Sequence, residues 1–251
     1  IIAAYPEELD TVAISLPMIM DNCLIQLGRT GKSEGDNTWQ EYFNSEQEAR
    51  NFHALLVSIR SQFTKKQVFE PCVFPWHKAV LEKGDLSERI CVIARLLKDD
   101  QLIDDSIQYF ADCDPWNRES LLQYSYGRMR TPKQRQMILT SVCDKGDMCR
   151  RTAIKLVDAM QLTADDYAEL EKLLRFKYTD ARTALIRWMM KQPDDALYDS
   201  LTRLLGDKKS EERRMAALDI IKLLADEDKR TSLITRCAQL VTAYENPTAK
   251  E

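Results

Sequence analysis

An apolar triplet that recurs at a nearly constant interval constrains the fold of this chain more than any other feature of its sequence. Each triplet places apolar residues at positions i, i+3 and i+4, the steps that return to one side of an α-helix. The copies are Trp76/Ala79/Val80, Ile107/Phe110/Ala111, Leu139/Val142/Cys143, Leu170/Leu173/Leu174 and Leu201/Leu204/Leu205, with Leu233 and Cys237 in two places of a sixth. Their first members are spaced by 31, 32, 31, 31 and 32 residues. Such a period is typical of proteins built from stacked repeats.

A second series of the same period is interleaved with the first. It consists of an arginine followed two positions later by a small residue, at Arg89/Cys91, Arg118/Ser120, Arg151/Ala153, Arg182/Ala184 and Arg214/Ala216. Two interleaved series predict two helices in each repeat, which we name A and B. The small residue on helix B allows a neighbouring helix to approach closely.

Capping signals mark where the helices begin. Asp114-Pro115 and Thr131-Pro132 have the pattern of an N-cap followed by proline at the first helical position, and Ser45/Glu48 and Asp85/Glu88 have that of a capping box. We therefore predict A helices near 74–83, 100–111, 132–144, 163–176, 194–205 and 229–244. The predicted B helices lie near 86–98, 115–129, 147–160, 178–191 and 210–225.

Glycines follow several of the predicted apolar helix segments. Gly84, Gly146 and Gly206 stand where a left-handed C-cap would end a helix, so we predict that conformation for them.

Residues 1–70 do not share the repeat register. Two longer helices are predicted there, over Pro6–Leu27 and Ser45–Phe63. We interpret 1–70 as an atypical N-terminal helical cap, since a terminal unit needs one face in water, and 71–251 as one continuous array. The chain begins at Ile1 and no B helix follows the sixth A helix, so we expect a segment of a larger protein.

The openings of three B helices resemble those of the HEAT-repeat family, in which an acidic residue, an arginine and an alanine follow one another. The matching stretches are 147–153, 180–184 and 211–216, and the resemblance covers about 74–245. It implies an all-α, right-handed solenoid of about six helix pairs, and a non-enzymatic protein-interaction or scaffold module. It also implies that Arg89, Arg118, Arg151, Arg182 and Arg214 are structural, each pairing with an acidic residue of an adjacent repeat such as Asp147 or Asp180.

Charge is distributed unevenly along the chain. Residues 1–117 contain 11 basic and 19 acidic side chains, whereas 118–191 contain 15 and 9. We define the basic cluster as Arg128, Arg130, Lys133, Arg135, Lys145, Arg150, Arg151 and Lys155. It is either a solvated face or a surface for an anionic partner, that is, an acidic protein segment or a nucleic acid. A pI near 5.5 favours a protein or peptide partner over a nucleic acid.

Residues that could support catalysis are sparse. The chain has two histidines and seven dispersed cysteines, so we predict no metal, no cofactor and no enzyme activity. Trp188 beside Arg187 resembles part of the set of Trp, Asp and Arg side chains that HEAT-like bacterial DNA glycosylases use. Such an enzyme is therefore a third alternative. Otherwise Trp116 and Trp188 are predicted core residues. Unpaired cysteines favour a cytoplasmic protein, and the lack of a long apolar run favours one that is away from membranes. We also expect a monomer.

Overall fold

The structure, a computed structural model, describes residues 38–62, 67–69, 79–81 and 83–244. Helices dominate this part of the chain, which confirms the all-α class apart from one pair of three-residue strands. The helices are α1 Glu46–Gln62, α2 Lys83–Leu97, α3 Asp100–Ser106, α4 Pro115–Leu121, α5 Pro132–Ser141, α6 Asp147–Asp158, α7 Ala164–Leu173, α8 Thr179–Met189, α9 Asp194–Leu205, α10 Glu211–Glu227 and α11 Thr231–Thr242. Among these helices, none combines the length and the apolarity that crossing a membrane requires.

The chain divides into two compact units, one ending at Arg135 and the other starting at Gln136. In the first unit, α1 packs against α2, and α2 packs against α3 and the 3-10 helix Ile107–Asp112. The predicted helix Ser45–Phe63 is thus confirmed as α1, whereas Pro6–Leu27 lies outside the described residues. The predicted boundary at residue 70 lies between α1 and α2, two helices that pack against each other.

The second unit contains the best-formed helix pairs. The B helices α6, α8 and α10 contact one another in that order, and the A helices α9 and α11 also touch. The triplets of the third, fourth and fifth repeats are buried, as are Leu233 and Cys237, and the small residues Ala153, Ala184 and Ala216 are at most 4% exposed. Both interleaved series therefore mark the packed faces of these helices.

The second triplet fits its helix less well. Phe110 is buried, but Ile107 is half-buried and Ala111 is exposed. The reason is local, because α3 tightens after Ser106 into the 3-10 helix. With three residues per turn, positions i and i+4 no longer share a side.

The first predicted A helix, 74–83, is wrong for the residues that the structure describes. Strand β1, Gln67–Phe69, pairs antiparallel with β2, Ala79–Leu81, and α2 begins at Lys83. Three apolar positions fit a strand as well as a helix, and valine and phenylalanine favour strands. Because α2 starts early, Asp85 lies within its first turn, and the capping box expected of Asp85 and Glu88 is not the start of the helix.

The other start signals are confirmed by hydrogen bonds. The Asp114 carboxylate accepts from the Asn117 amide at 2.9 Å, and the Thr131 hydroxyl accepts from the Gln134 amide at 3.2 Å. The Ser45 hydroxyl accepts from the Glu48 amide at 3.1 Å, although the Glu48 carboxylate reaches back to the amide of Asn44, not of Ser45.

The three glycines are not left-handed C-caps. Gly84 lies inside α2, Gly146 is the N-cap of α6 with φ −85°, and Gly206 follows α9 with φ −73°. Positive φ occurs instead at the non-glycine residues Lys98, Met129 and Asp228. The lack of a side chain at Gly84 lets the backbone of Asp112 approach α2 closely, since a Cβ there would stand 2.6 Å from the carbonyl oxygen of Asp112.

We predict that Leu173→Ala and Leu204→Ala each lower the free energy of unfolding by about 2–5 kcal/mol, because both side chains are buried. Lys172→Ala, at an exposed position, should change it by under about 0.5 kcal/mol. Urea denaturation followed by circular dichroism measures all three. Equal midpoints would contradict the assigned helical phase.

We also predict that Gly84→Ala destabilises the protein by about 1–3 kcal/mol, since the added methyl group meets backbone and not a flexible side chain. Inside a helix the same substitution ordinarily stabilises by about 0.5–1 kcal/mol, so the sign of the change is diagnostic. Lys83→Ala, at the exposed neighbouring position, is the matched control. A gain in stability for Gly84→Ala would refute the close approach.

Candidate functional site

An open groove of about 810 Å³ lies between α8 and α10, two successive B helices of the second unit. Its apolar lining comes from Ile186 and Met190 on one side and from Leu223 and Leu224 on the other. Leu223 is 40% exposed, one of few large apolar side chains exposed to this degree in the described residues. The groove thus presents apolar surface to solvent.

Three charged residues on the rim of the groove are already held by the protein. Arg187 donates to both carboxylate oxygens of Asp158, at 2.6 and 2.8 Å. Asp219 accepts from Arg182 at 2.7 Å. Arg230 donates to the carbonyls of residues 190 and 192, at 2.9 Å each, and so satisfies the backbone that follows α8.

Four other charged residues of the groove are available to a ligand. Lys191, Lys222, Asp226 and Glu227 have no side-chain hydrogen bond or ion pair within the described chain. They carry two charges of each sign, all on exposed side chains. Apolar surface bordered by unused charges of both signs is suited to an amphipathic ligand.

Trp188 follows the groove residue Arg187 in α8 and is fully buried, which confirms its predicted core position. Its indole N–H donates to Asp158 at 2.7 Å, so the carboxylate joins Trp188 to Arg187. The structure therefore brings a tryptophan, an aspartate and an arginine together, as the glycosylase alternative requires. The ring, however, has no exposed face on which an extruded base could stack.

Trp116 does not belong to the core, and that prediction is wrong. The side chain is 66% exposed in the first turn of α4, whereas Arg118 in the same helix is 1% exposed. The buried guanidinium donates to the carbonyl of Cys113 at 2.6 Å and lies over the Phe110 ring. Arg118 occupies the inner side of the helix in place of the tryptophan.

The basic cluster is divided between the two units. Arg128, Arg130, Lys133 and Arg135 belong to the first, and of these all but Arg135 are exposed. The remaining members, Lys145, Arg150, Arg151 and Lys155, belong to the second.

Arg150 is removed from the anionic-partner surface by its own contacts. Its guanidinium donates to both oxygens of Asp180, at 3.1 and 3.0 Å, and to two carbonyls before α6. It also stacks 4.3 Å from the centre of the Tyr178 ring, and the side chain is only 12% exposed. The neighbouring Arg151 is 70% exposed and pairs within its own helix with Asp147.

The predicted structural arginines make three kinds of contact, one of which is the pairing of Arg151 with Asp147 within α6. Arg89, Arg118 and Arg214 donate to carbonyls four to seven positions upstream, at 2.8, 2.6 and 2.8 Å. Arg182 reaches the next B helix, donating to the Glu212 carbonyl and to Asp219. In the third repeat, the arginine that reaches the next pair is Arg150 and not Arg151.

Metal-binding and thiol chemistry find little support in the described residues. They contain no group of three or more histidine, cysteine or acidic side chains that could hold a metal ion. The five described cysteines are buried thiols. Burial raises the pKa of Cys143 to about 12 and also raises that of Cys237. Cys23 and Cys72 lie outside the described residues.

The sequence interpretation missed both the groove and the role of Asp158. A usable signal was present for Asp158, because it lies 30 positions before Trp188, about one repeat. The groove had no comparable signal, since its width depends on the spacing of two helices.

Residues 2–251 match a family model whose description is "Family of unknown function (DUF5724)". No curated protein and no solved structure matches the chain.

We predict that Asp158→Ala lowers the free energy of unfolding by about 1–3 kcal/mol, because it leaves the buried indole N–H of Trp188 without its acceptor. Asp158→Asn keeps an acceptor oxygen and should cost less. Asp226→Ala removes a carboxylate that has no partner and should stay within about 0.5 kcal/mol. Equal losses for the two alanine variants would show that the hydrogen bond is unimportant.

Proposed function

We propose that this chain, which belongs to the DUF5724 family, is a non-enzymatic protein-interaction module whose groove between α8 and α10 binds an amphipathic helix of a partner protein. The observation that carries this proposal is the exposed apolar side chain of Leu223 in a groove bordered by unpaired charges. Helix-in-groove binding uses this combination, since one face of the ligand is apolar and its flanks are charged.

The details of the groove define the ligand further. The apolar face of the partner helix would lie on Ile186, Met190 and Leu223. Its flanks would carry acidic residues toward Lys191 and Lys222 and basic residues toward Asp226 and Glu227. Charges of both signs in the groove would determine the position and orientation of such a helix more than they would strengthen its binding.

The proposed architecture is a right-handed, HEAT-like solenoid of about six helix pairs. The near-constant period of the triplets supports it, as does the order of contacts in the second unit, where A helices touch A helices and B helices touch B helices. We further propose a monomer in the cytoplasm, where free thiols such as those of the buried cysteines stay reduced.

The alternative, a nucleic-acid-binding module that uses the basic cluster, has weaker support. Arg150 is held by Asp180, and Arg151 is paired with Asp147. Counterion release requires cations that are free to approach several phosphates, and these contacts reduce their number.

The groove proposal is tested by photocrosslinking from two positions of equal exposure. Leu223 and Val241 are both 40% exposed, but only Leu223 lines the groove. A photoreactive phenylalanine analogue at position 223, introduced into the full chain in its source cells, should crosslink a discrete partner that position 241 does not capture.

With that partner purified, we predict that Leu223→Asp weakens its binding by at least about tenfold, whereas Val241→Asp changes it by less than about twofold. Burying the new carboxylate against apolar groups accounts for the loss. Binding is measured by calorimetry, after circular dichroism has shown that both variants are folded. Equal losses for the two variants would refute the groove as the binding site.

A further inference from the structure

A small cleft in the first unit gathers several cations around one carboxylate. It lies where α2 ends, α3 begins and the π-helical turn Leu122–Tyr126 leads into the following loop. Arg95, Lys98, Arg128 and Arg130 line the cleft, and Asp100 is the acidic residue among its lining groups. The formal charge of this set is three units positive.

The single carboxylate is shared with other groups and does not neutralise this charge. Asp100 lies 3.7 Å from Arg130 and also accepts a long hydrogen bond of 3.5 Å from the side-chain amide of Gln134. Lys98 and Arg128 are exposed, and neither side chain has an ion pair or hydrogen bond within the described residues. Two cations of the cleft are therefore available to an anion.

A buried hydroxyl in the cleft also lacks a partner. Ser125 is 4% exposed, and its Oγ has no hydrogen-bond partner. An unsatisfied buried donor of this kind costs about 1–3 kcal/mol, so its presence calls for an explanation. A ligand atom bound in the cleft would explain it, because Ser125 is among the residues that line the cleft.

The backbone around the cleft is held in an unusual conformation. Lys98 has φ 54° and Met129, between Arg128 and Arg130, has φ 46°, both in the left-handed region. Residues with a Cβ adopt this region at a cost of about 1–2 kcal/mol. Two turns of this kind bring the side chains of Lys98, Arg128 and Arg130 to one cleft.

Helix ends account for only part of the positive charge. The C-termini of α2 and of the π-helical turn each carry a partial negative charge of about one half, which attracts cations. Together they balance about one of the three excess charges. The partial charges at these helix ends do not provide a partner for the Ser125 hydroxyl. Stabilisation of helix ends therefore does not account for the set of residues that line the cleft.

We propose that this cleft binds the terminal phosphoryl group of a phosphate monoester. Its volume of about 20 Å³ admits one or two of the phosphoryl oxygens, so the rest of the group would lie at the mouth of the cleft. A monoester carries a charge of about −1.5 to −2 near neutral pH, which suits the positive excess better than the single charge of a phosphodiester. Lys98 and Arg128 would contact the phosphoryl oxygens, and Ser125 would donate to one of them.

The source of the monoester is a phosphorylated side chain or a free small molecule, and the probes distinguish them. Inorganic phosphate, O-phosphoserine and a peptide containing one phosphoserine are titrated into the full chain at pH 7.5, with duplex DNA as a further probe. We expect saturable binding of the three monoester or phosphate probes. A clear preference for the peptide would identify a phosphorylated protein as the source.

Charge-neutral variants test which cations are used. Arg128→Gln and Lys98→Gln should each weaken phosphate binding by about tenfold, as should Ser125→Ala, which removes a buried donor without a partner. Lys133→Gln is the matched control, because Lys133 is an exposed cation of the same cluster that does not line the cleft. We expect it to change affinity by less than about twofold.

Three results would overturn the proposal. The first is the absence of saturable phosphate binding by the folded wild-type chain. The second is an equal loss of affinity in Lys133→Gln and Arg128→Gln, which would indicate diffuse surface attraction. The third is duplex DNA binding with the same dependence on Lys98 and Arg128, which would assign the cleft to a nucleic-acid backbone.

Discussion

Contacts between side chains about one repeat apart hold successive helix pairs of the second unit in register. Arg150 reaches Asp180 across 30 positions, Trp188 reaches Asp158 across 30, and Arg203 reaches Glu171 across 32. A helix pair cannot bury its apolar face alone, so each depends on the pair beside it. The leucine triplets supply the burial that drives this packing. Apolar contact is non-directional, and the polar contacts select which residues of the two pairs meet.

Those parts of the fold that depend on local chemistry were predictable from the sequence. Asp114 and Thr131 cap helices as expected, and the triplets of the third to fifth repeats are buried. The prediction of the first A helix was wrong because Ala79 and Val80 pair with β1. A strand needs a partner strand, which local periodicity does not specify. The second triplet failed in part because α3 narrows to a 3-10 helix, a change that the sequence pattern does not mark.

The candidate sites were less predictable because they depend on helical phase and on distance. Arg150 and Arg151 are adjacent, so they point about 100° apart, and the sequence alone does not tell which one faces Asp180. The groove exists because α8 and α10 leave space between Ile186 and Leu223, which no spacing along the chain encodes. Opposite charges one repeat apart are a signal that can be searched for in related chains.

Counting charges along the chain overstates how many are available at the surface. Within 118–191, Arg118 donates to backbone, Arg150 to Asp180, and Arg182 to Asp219. With Arg151 and Arg187, which pair with Asp147 and Asp158, at least five of the fifteen cations of this stretch act inside their own unit. Lys98, by contrast, lies in the acidic part of the chain and is still free to meet an anion. Where an ionic ligand can bind therefore depends on whether each charged side chain is paired within the protein, more than on the net charge of the surrounding stretch of sequence. By this criterion the cleft of the first unit suits a single compact anion, whereas the groove of the second, with both signs unpaired beside apolar surface, suits an amphipathic chain.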